Sequence, residues 1–189
     1  MSNLFHRAAC DSALRRLGEG DTEALAVLYD HLGRRIYLLA LSILRDQHAA
    51  EDIMQDTLVR LAQGGAQGYT SGTNPEAFVL TVARNLSLTA LRRREREMPS
   101  EIAEDATPHL SADGGEPMRA LPVLDTLDTE ERQIVLLRLE YGMKHRDIAA
   151  LLGISNAACE KRYSRAAAKM RAYYKDKNVT KSPEKGEQI

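Results

Sequence analysis

At 189 residues, 43% of them hydrophobic, the chain is long enough for one ordinary domain or two small ones with packed interiors. Trp is absent and Phe occurs twice, which excludes an aromatic core; abundant Leu, Ala, Arg and Glu with few β-branched residues favour helices over strands. A net charge of −1 would argue against a nucleic-acid partner if the charge were evenly spread, and it is not.

Cys10 and Cys159 are the only cysteines. Two isolated thiols in a helical chain fit a reducing compartment better than a disulfide framework. Residues Met1 to Asp11 lack the apolar run of a signal peptide, and no stretch approaches ~18 apolar residues. The expectation is a soluble, cytoplasmic protein with no membrane insertion.

A short, partly helical leader ends at Gly20-Asp21. Asp21 is expected to cap the next helix, with Glu23 in its first turn where the dipole favours an acid. Leu25, Tyr29, Leu32, Ile36, Leu39 and Ile43 then recur at steps of four and three, one apolar seam over several turns. Asp46 opens a second helix with Ala50, Ile53, Met54, Leu58 and Leu61 on one face. Glu51, Asp52, Gln55 and Asp56 occupy the other, which is either a solvated face or a docking surface for a basic partner.

Residues 64–74 are glycine-rich and polar, hence a loop. Pro75 suits the first turn of the following helix, whose apolar residues are Phe78, Val82, Ala83, Leu86, Leu88 and Leu91. Its end carries Arg92, Arg93, Arg94 and Arg96. One or two cations complement a helix C-terminus; four in five positions suggest phosphate contact.

Residues 98–121 break the pattern with prolines, a Gly-Gly pair and a run of acids. They form a flexible acidic linker between a domain at 1–97 and one at 122–175, with a disordered tail at 176–189. After Pro122 a helix begins near Asp128 or Thr129. With Thr129 as cap and Arg132 three residues on, the capping box is incomplete, though Glu130 and Glu131 suit the first turn. Ile134, Val135, Leu137 and Leu139 are expected to be buried, and Gly142 to end the helix.

The segment from Lys144 to Arg171 is the most informative. His145 to Leu152 forms a short helix with Ile148, Leu151 and Leu152 inward. Gly153-Ile154-Ser155 makes a turn that needs positive φ at the glycine, and a longer helix starts at Asn156. Ala149 and Cys159 are small residues where two steeply crossing helices approach. That spacing fits a DNA-binding helix-turn-helix. The second helix bears Lys161, Arg162, Arg165, Lys169, Arg171 and Lys175 against one acid, Glu160, before Asp176, a basic excess proper to a recognition helix.

Read together, the halves resemble the sigma-70 family of bacterial transcription initiation factors, in particular its small two-domain extracytoplasmic-function group. DQHAAEDIMQDTLVRL and AFVLTVARNLSLTALRRR resemble the domain that binds the promoter −10 region and the polymerase clamp. LDTEERQIVLLRLEYGMKHRDIAALLGIS followed by CEKRYSRAAAKMR resembles the domain that reads the −35 region. The resemblance covers residues 20–97 and 122–173 and implies an all-α fold of two small domains.

It also implies roles. Asp52, Gln55 and Asp56 would face the polymerase clamp. Asn85 would contact −10 bases, while Arg84, Arg92, Arg93 and Arg94 hold backbone. Glu160, Lys161, Ser164 and Arg165 would face the −35 groove, with Arg138 and Arg162 as support or phosphate contacts; Lys169, nearer the helix C-terminus, is expected from its position to touch DNA without reading sequence. Core RNA polymerase and promoter DNA would be the partners, with an anti-sigma factor left open. The linker would follow the polymerase's RNA exit path.

The chain departs from the family pattern in several places, Cys159 standing where a valine is usual among them. Phe78 stands where a tryptophan is usual, and aromatics are missing around Leu58 to Ala62. A base stacked on an aromatic is worth ~1–3 kcal/mol, so strand opening would be weaker or rest on Tyr69 or Phe78. Glu160 replaces a commonly basic residue and can accept from cytosine N4.

A helix-turn-helix regulator acting without polymerase would explain the second half and leave the acidic face unexplained. A sigma-like decoy without a DNA role would leave the basic helix unexplained. Nothing supports an enzyme: no phosphate loop follows a strand, and the five histidines are scattered. His6 and Cys10 at i,i+4 make a weak metal pair, so no catalytic, metal or cofactor site is expected.

Overall fold

The computed structural model describes residues 2–97 and 122–179, with side chains from 5 to 97 and from 122 to 176. Among these there are seven α-helices, two 3-10 turns and no strand. They are α1 (Ser2–Gly18), α2 (Ala24–Leu44), α3 (Gln47–Ala62), α4 (Pro75–Glu97), α5 (Thr129–Leu139), α6 (His145–Leu152) and α7 (Asn156–Val179). The linker expected at 98–121 lies outside the described residues. Helix α7 continues four residues into the stretch expected as a tail, and 180–189 lie outside the description.

Helix α2 is the centre of the first half, and α1, α3 and α4 all pack on it. Its Leu28, Leu32, Ile36 and Leu39 are fully buried. Shortening any one to Ala would cost about 2–5 kcal/mol, because the surrounding helices close such a cavity only in part. The buried stripe differs from the expected seam at its start. Ala24 and Leu28 face inward, while Leu25 is half-buried and Tyr29 is 53% exposed. Helix α1 turns Cys10, Ala13, Leu14 and Leu17 onto this end of α2, so the inward face there is set by a helix that the sequence reading took for a leader.

Asp21 also acts differently from expectation. Its carboxylate accepts the Glu23 N–H at 3.1 Å and pairs with Arg16 at 2.6 Å, closing the α1–α2 turn, and the helix starts only at Ala24. Asp46 does cap α3, accepting the Ala49 N–H at 3.0 Å. Between α2 and α3 stands Arg45 at φ +56°. A non-glycine residue in this left-handed region is disfavoured; here its N–H ends α2 by donating to the Leu41 carbonyl at 2.9 Å, and its side chain pairs with Asp125 of the second half.

In the second half Asp128, not Thr129, is the cap. Asp128 accepts the Glu131 N–H at 2.8 Å and Glu131 accepts the Asp128 N–H at 3.2 Å, a complete capping box. Counting from Asp128 puts an acid at the third position, where counting from Thr129 put Arg132. Leu139 is 61% exposed, against expectation; two residues past Leu137, it lies about 200° round the helix from the buried side. Gly142, at φ +64°, lets Met143 return its N–H to the Leu137 carbonyl at 3.0 Å, which closes the helix end.

The two halves also touch each other. Helix α5 packs on α2 and α6 on α4, and one apolar cluster runs from Leu28 and Leu39 through to Ile134, Tyr141 and Cys159.

Candidate nucleic-acid and polymerase interfaces

The helix-turn-helix forms as the spacing requires. Gly153 stands at φ +70°, and a Cβ there would meet nothing within 4 Å. The demand at this position is therefore conformational and not steric. Ile154 returns its N–H to the Ala149 carbonyl at 3.0 Å, and Ser155 Oγ accepts the Ala158 N–H at 3.2 Å, which caps α7. Ala149 and Cys159 are both buried at the crossing. Burial, then the nearby Glu160, raises the Cys159 thiol pKa.

Seven residues were expected at the −35 face, and the structure sorts them into two groups. Glu160, Lys161, Ser164 and Arg165 are exposed on α7. Lys161, Ser164 and Arg165 fall at i, i+3 and i+4, so they share one face. Glu160 accepts from the Asn156 amide at 2.8 Å. The other three are tied to groups elsewhere in the second half. Arg138 donates to the Met143 carbonyl at 2.9 Å. Arg162 pairs with Glu130 and Lys169 with Glu131, each at 2.6 Å.

On α4, Asn85 and Arg92, Arg93 and Arg94 are exposed. Arg93 pairs with Glu97 at 2.7 Å and Arg94 with Asp46 at 3.6 Å, exposed pairs that hold their partners only weakly. Arg84 differs from them: it is half-buried and donates Nε–H to Gln133 Oε1 of α5 at 3.0 Å. Asn74, which the sequence reading passed over, caps α4 by accepting the Ala77 N–H at 3.2 Å.

Phe78 is half-buried, its ring 5.3 Å from that of Tyr69. The Tyr69 hydroxyl donates to Asp11 Oδ1 at 2.5 Å, and burial with that carboxylate beside it pushes the phenol up to about 12. The two aromatics left for base stacking are thus packed on each other and tied to α1.

On α3, Asp52, Gln55 and Asp56 are exposed together, and Val59 continues the strip at 48% exposure. Beside them an open groove of about 530 Å³ is lined by Tyr29, Arg34, Tyr37, Glu51 and Met54 among others. Tyr29 was assigned to the buried seam; its exposure here went unseen because an aromatic at helical spacing reads as core.

His6 of the weak His6–Cys10 pair has a ring partner. His6 turns Nδ1 to His31 Nδ1 at 3.0 Å, and among the described residues no cluster of three or more His, Cys, Asp or Glu could hold a metal ion. Nor, among them, is any helix long and apolar enough to cross a membrane.

Comparison with known proteins divides the chain along the same lines. The model of Sigma-70 region 2 matches residues 28–97, and that of Sigma-70, region 4 matches residues 119–170. The ECF RNA polymerase sigma factor EcfG of Rhodopseudomonas palustris is 30% identical over 70% of this chain and 75% of its own. A probable RNA polymerase sigma factor, RfaY of Xanthomonas campestris pv. campestris, is 33% identical over 70% of this chain, which spans only 36% of that relative's length. In fold, the chain is similar to the sigma factor RpoE from Bartonella quintana, solved in complex with the anti-sigma factor NepR. That likeness has a TM-score of 0.62 at 23% identity, covering 78% of this chain and 94% of the other.

Proposed function

The chain belongs to the sigma-70 family, in its extracytoplasmic-function group, and from that membership we propose that it binds core RNA polymerase and directs initiation at promoters read through −10 and −35 elements. The observation that carries this reading is the placement of two unlike exposed surfaces on the two matched regions. An acidic strip, Asp52, Gln55 and Asp56, lies on one, and a basic recognition face, Lys161, Ser164 and Arg165, on the other.

In this reading α7 enters the major groove and presents Lys161, Ser164 and Arg165 to base edges, with Glu160 held ready to accept from a cytosine amine. Asn85 meets −10 bases, while the Arg92 to Arg94 cluster holds phosphates, which fix position without reading sequence. Arg138 and Arg162 brace the second domain. The protein acts on transcription in the cytoplasm and has no catalytic centre of its own. An anti-sigma factor of the kind bound to the Bartonella relative is a further partner of this reading.

Run-off transcription tests it directly. Core polymerase supplemented with the chain should produce discrete transcripts from a genomic promoter library, and core alone should not. DNA binding without polymerase capture or new transcripts would instead favour a helix-turn-helix regulator that works without polymerase.

A further inference from the structure

Before Asp176, Glu160 is the one acid on α7. An acid turned toward DNA is repelled by the phosphates, so its exposed place on this helix calls for a gain elsewhere. Its Oε1 accepts from the Asn156 amide at 2.8 Å. Asn156 lies one turn nearer the helix start and directly follows Ser155, whose hydroxyl caps α7. Both side chains of the pair are exposed. The nearby cations Arg162 and Lys169 are taken by Glu130 and Glu131, each at 2.6 Å, so the amide is what orients the Glu160 carboxylate.

Successive residues turn by about 100° round a helix. Asn156, Glu160 and Ser164 therefore make one ridge, and Lys161 and Arg165 make another beside it. The two ridges are chemically opposite. Lys161 and Arg165 donate, which suits the acceptors of guanine. Glu160 only accepts, and with Oε1 engaged, Oε2 is the oxygen left fully open to a base. In the major groove cytosine N4 offers a donor with no acceptor beside it. Adenine N6 donates too, but the neighbouring N7 is an acceptor that repels a carboxylate; guanine and thymine show it acceptors alone. Charge by itself thus rejects guanine and thymine. Separating cytosine from adenine needs a fixed aim, since a freely swinging carboxylate reaches N6 from the side away from N7.

We propose that Asn156 is a positioning residue for base reading: by holding Oε1 of Glu160 it aims Oε2 at one cytosine of the −35 element and excludes adenine there. This deepens the function proposed above and rests on it.

The test sets full-chain variants with core polymerase on promoters carrying each base in turn at every −35 position. Glu160→Ala finds the position that the acid reads, where preference for cytosine should fall ~5-fold or more, as loss of one base contact implies. Asn156→Ala should lower the cytosine-to-adenine ratio at that same position ~2–10-fold, the net worth of one hydrogen bond, with guanine and thymine still rejected. Asn156→Gln keeps an amide donor at helical spacing and should restore the ratio. Added to Glu160→Ala, Asn156→Ala should change nothing further. The proposal is overturned if Glu160→Ala shifts preference nowhere, or if the ratio is untouched by Asn156→Ala. An equal loss at several positions overturns it as well, because Asn156 would then merely support the helix start. If the unaltered chain gives no transcript, the polymerase reading fails, and duplexes selected from a random pool by the full chain alone decide Asn156 on the same ratio. A chain that selects no cytosine in that pool overturns the proposal too.

Discussion

The ammonium of Lys169 lies 2.6 Å from a carboxylate oxygen of Glu131, a residue that is 1% exposed and is also the inner member of the capping box on α5. One lysine on the recognition helix thus neutralises a buried acid that ties off the start of another helix. A basic residue that composition assigns to DNA holds the domain together.

Lys169→Ala is therefore expected to lower stability. The lysine is half in solvent, so the cost lies between that of a surface pair and a buried one, on the order of 1–2 kcal/mol. Urea unfolding should show an earlier midpoint at unchanged slope. An unmoved midpoint with a salt dependence of DNA binding reduced by about one unit would make Lys169 a phosphate contact instead.

Arg165→Ala should behave differently, since Arg165 is exposed on α7 and shares a face with Lys161 and Ser164. A bidentate arginine–guanine contact carries ~1–3 kcal/mol of discrimination. Holoenzyme carrying the substitution should lose preference at one −35 position while keeping its thermal stability. Transcription from every −35 variant in wild-type ratios would remove this residue from base reading.

Asp52→Arg with Gln55→Ala should weaken capture of core polymerase and leave helicity unchanged, because both side chains stand on the exposed strip of α3. The check is a pull-down titration beside far-ultraviolet circular dichroism. Equal affinity at equal helicity would retire the strip as a docking surface.

Much of this was readable from local pattern. The turn at Gly153, the small residues Ala149 and Cys159, the Asp46 cap and the acidic strip all depend on residues within one or two turns of each other. What could not be read depends on partners far along the chain. Helix α1 sets which side of α2 faces inward, so Tyr29 is exposed. Glu131 claims Lys169 from 38 positions away, and Gln133 claims Arg84 from 49. Charge on a helix announces an ionic partner without naming which one.

Acid should expose the tether between α1 and the loop before α4. Asp11 accepts from the Tyr69 hydroxyl, the Gly72 N–H at 3.0 Å and Ser71. These bonds, the tyrosine's foremost, hold its carboxyl below the ordinary Asp range. A depressed native pKa gives stability that is present above the unfolded value of about 3.9 and is lost as pH falls through the native value. Asp11→Asn should thus be less stable than wild type at pH 7, and the two melting curves should converge in strong acid. A gap that persists unchanged there would assign the effect to packing.

The thiols should be silent in the native chain. Burial pushes Cys10 up to about 11 and raises Cys159 as well, so little thiolate exists at neutral pH. A disulfide-exchange reagent at pH 8 should label neither cysteine quickly, and both on addition of denaturant. Fast labelling of Cys159 without denaturant would open the case for a redox role.

The apolar cluster that runs from Leu28 to Cys159 also has a calorimetric meaning. Two domains joined only by a tether melt as two events, each with its own enthalpy. Two domains that share buried side chains melt as one, and the calorimetric and van't Hoff enthalpies agree. A free chain built this way should give a single heat-absorption peak. Each half then owes part of its stability to side chains supplied by the other.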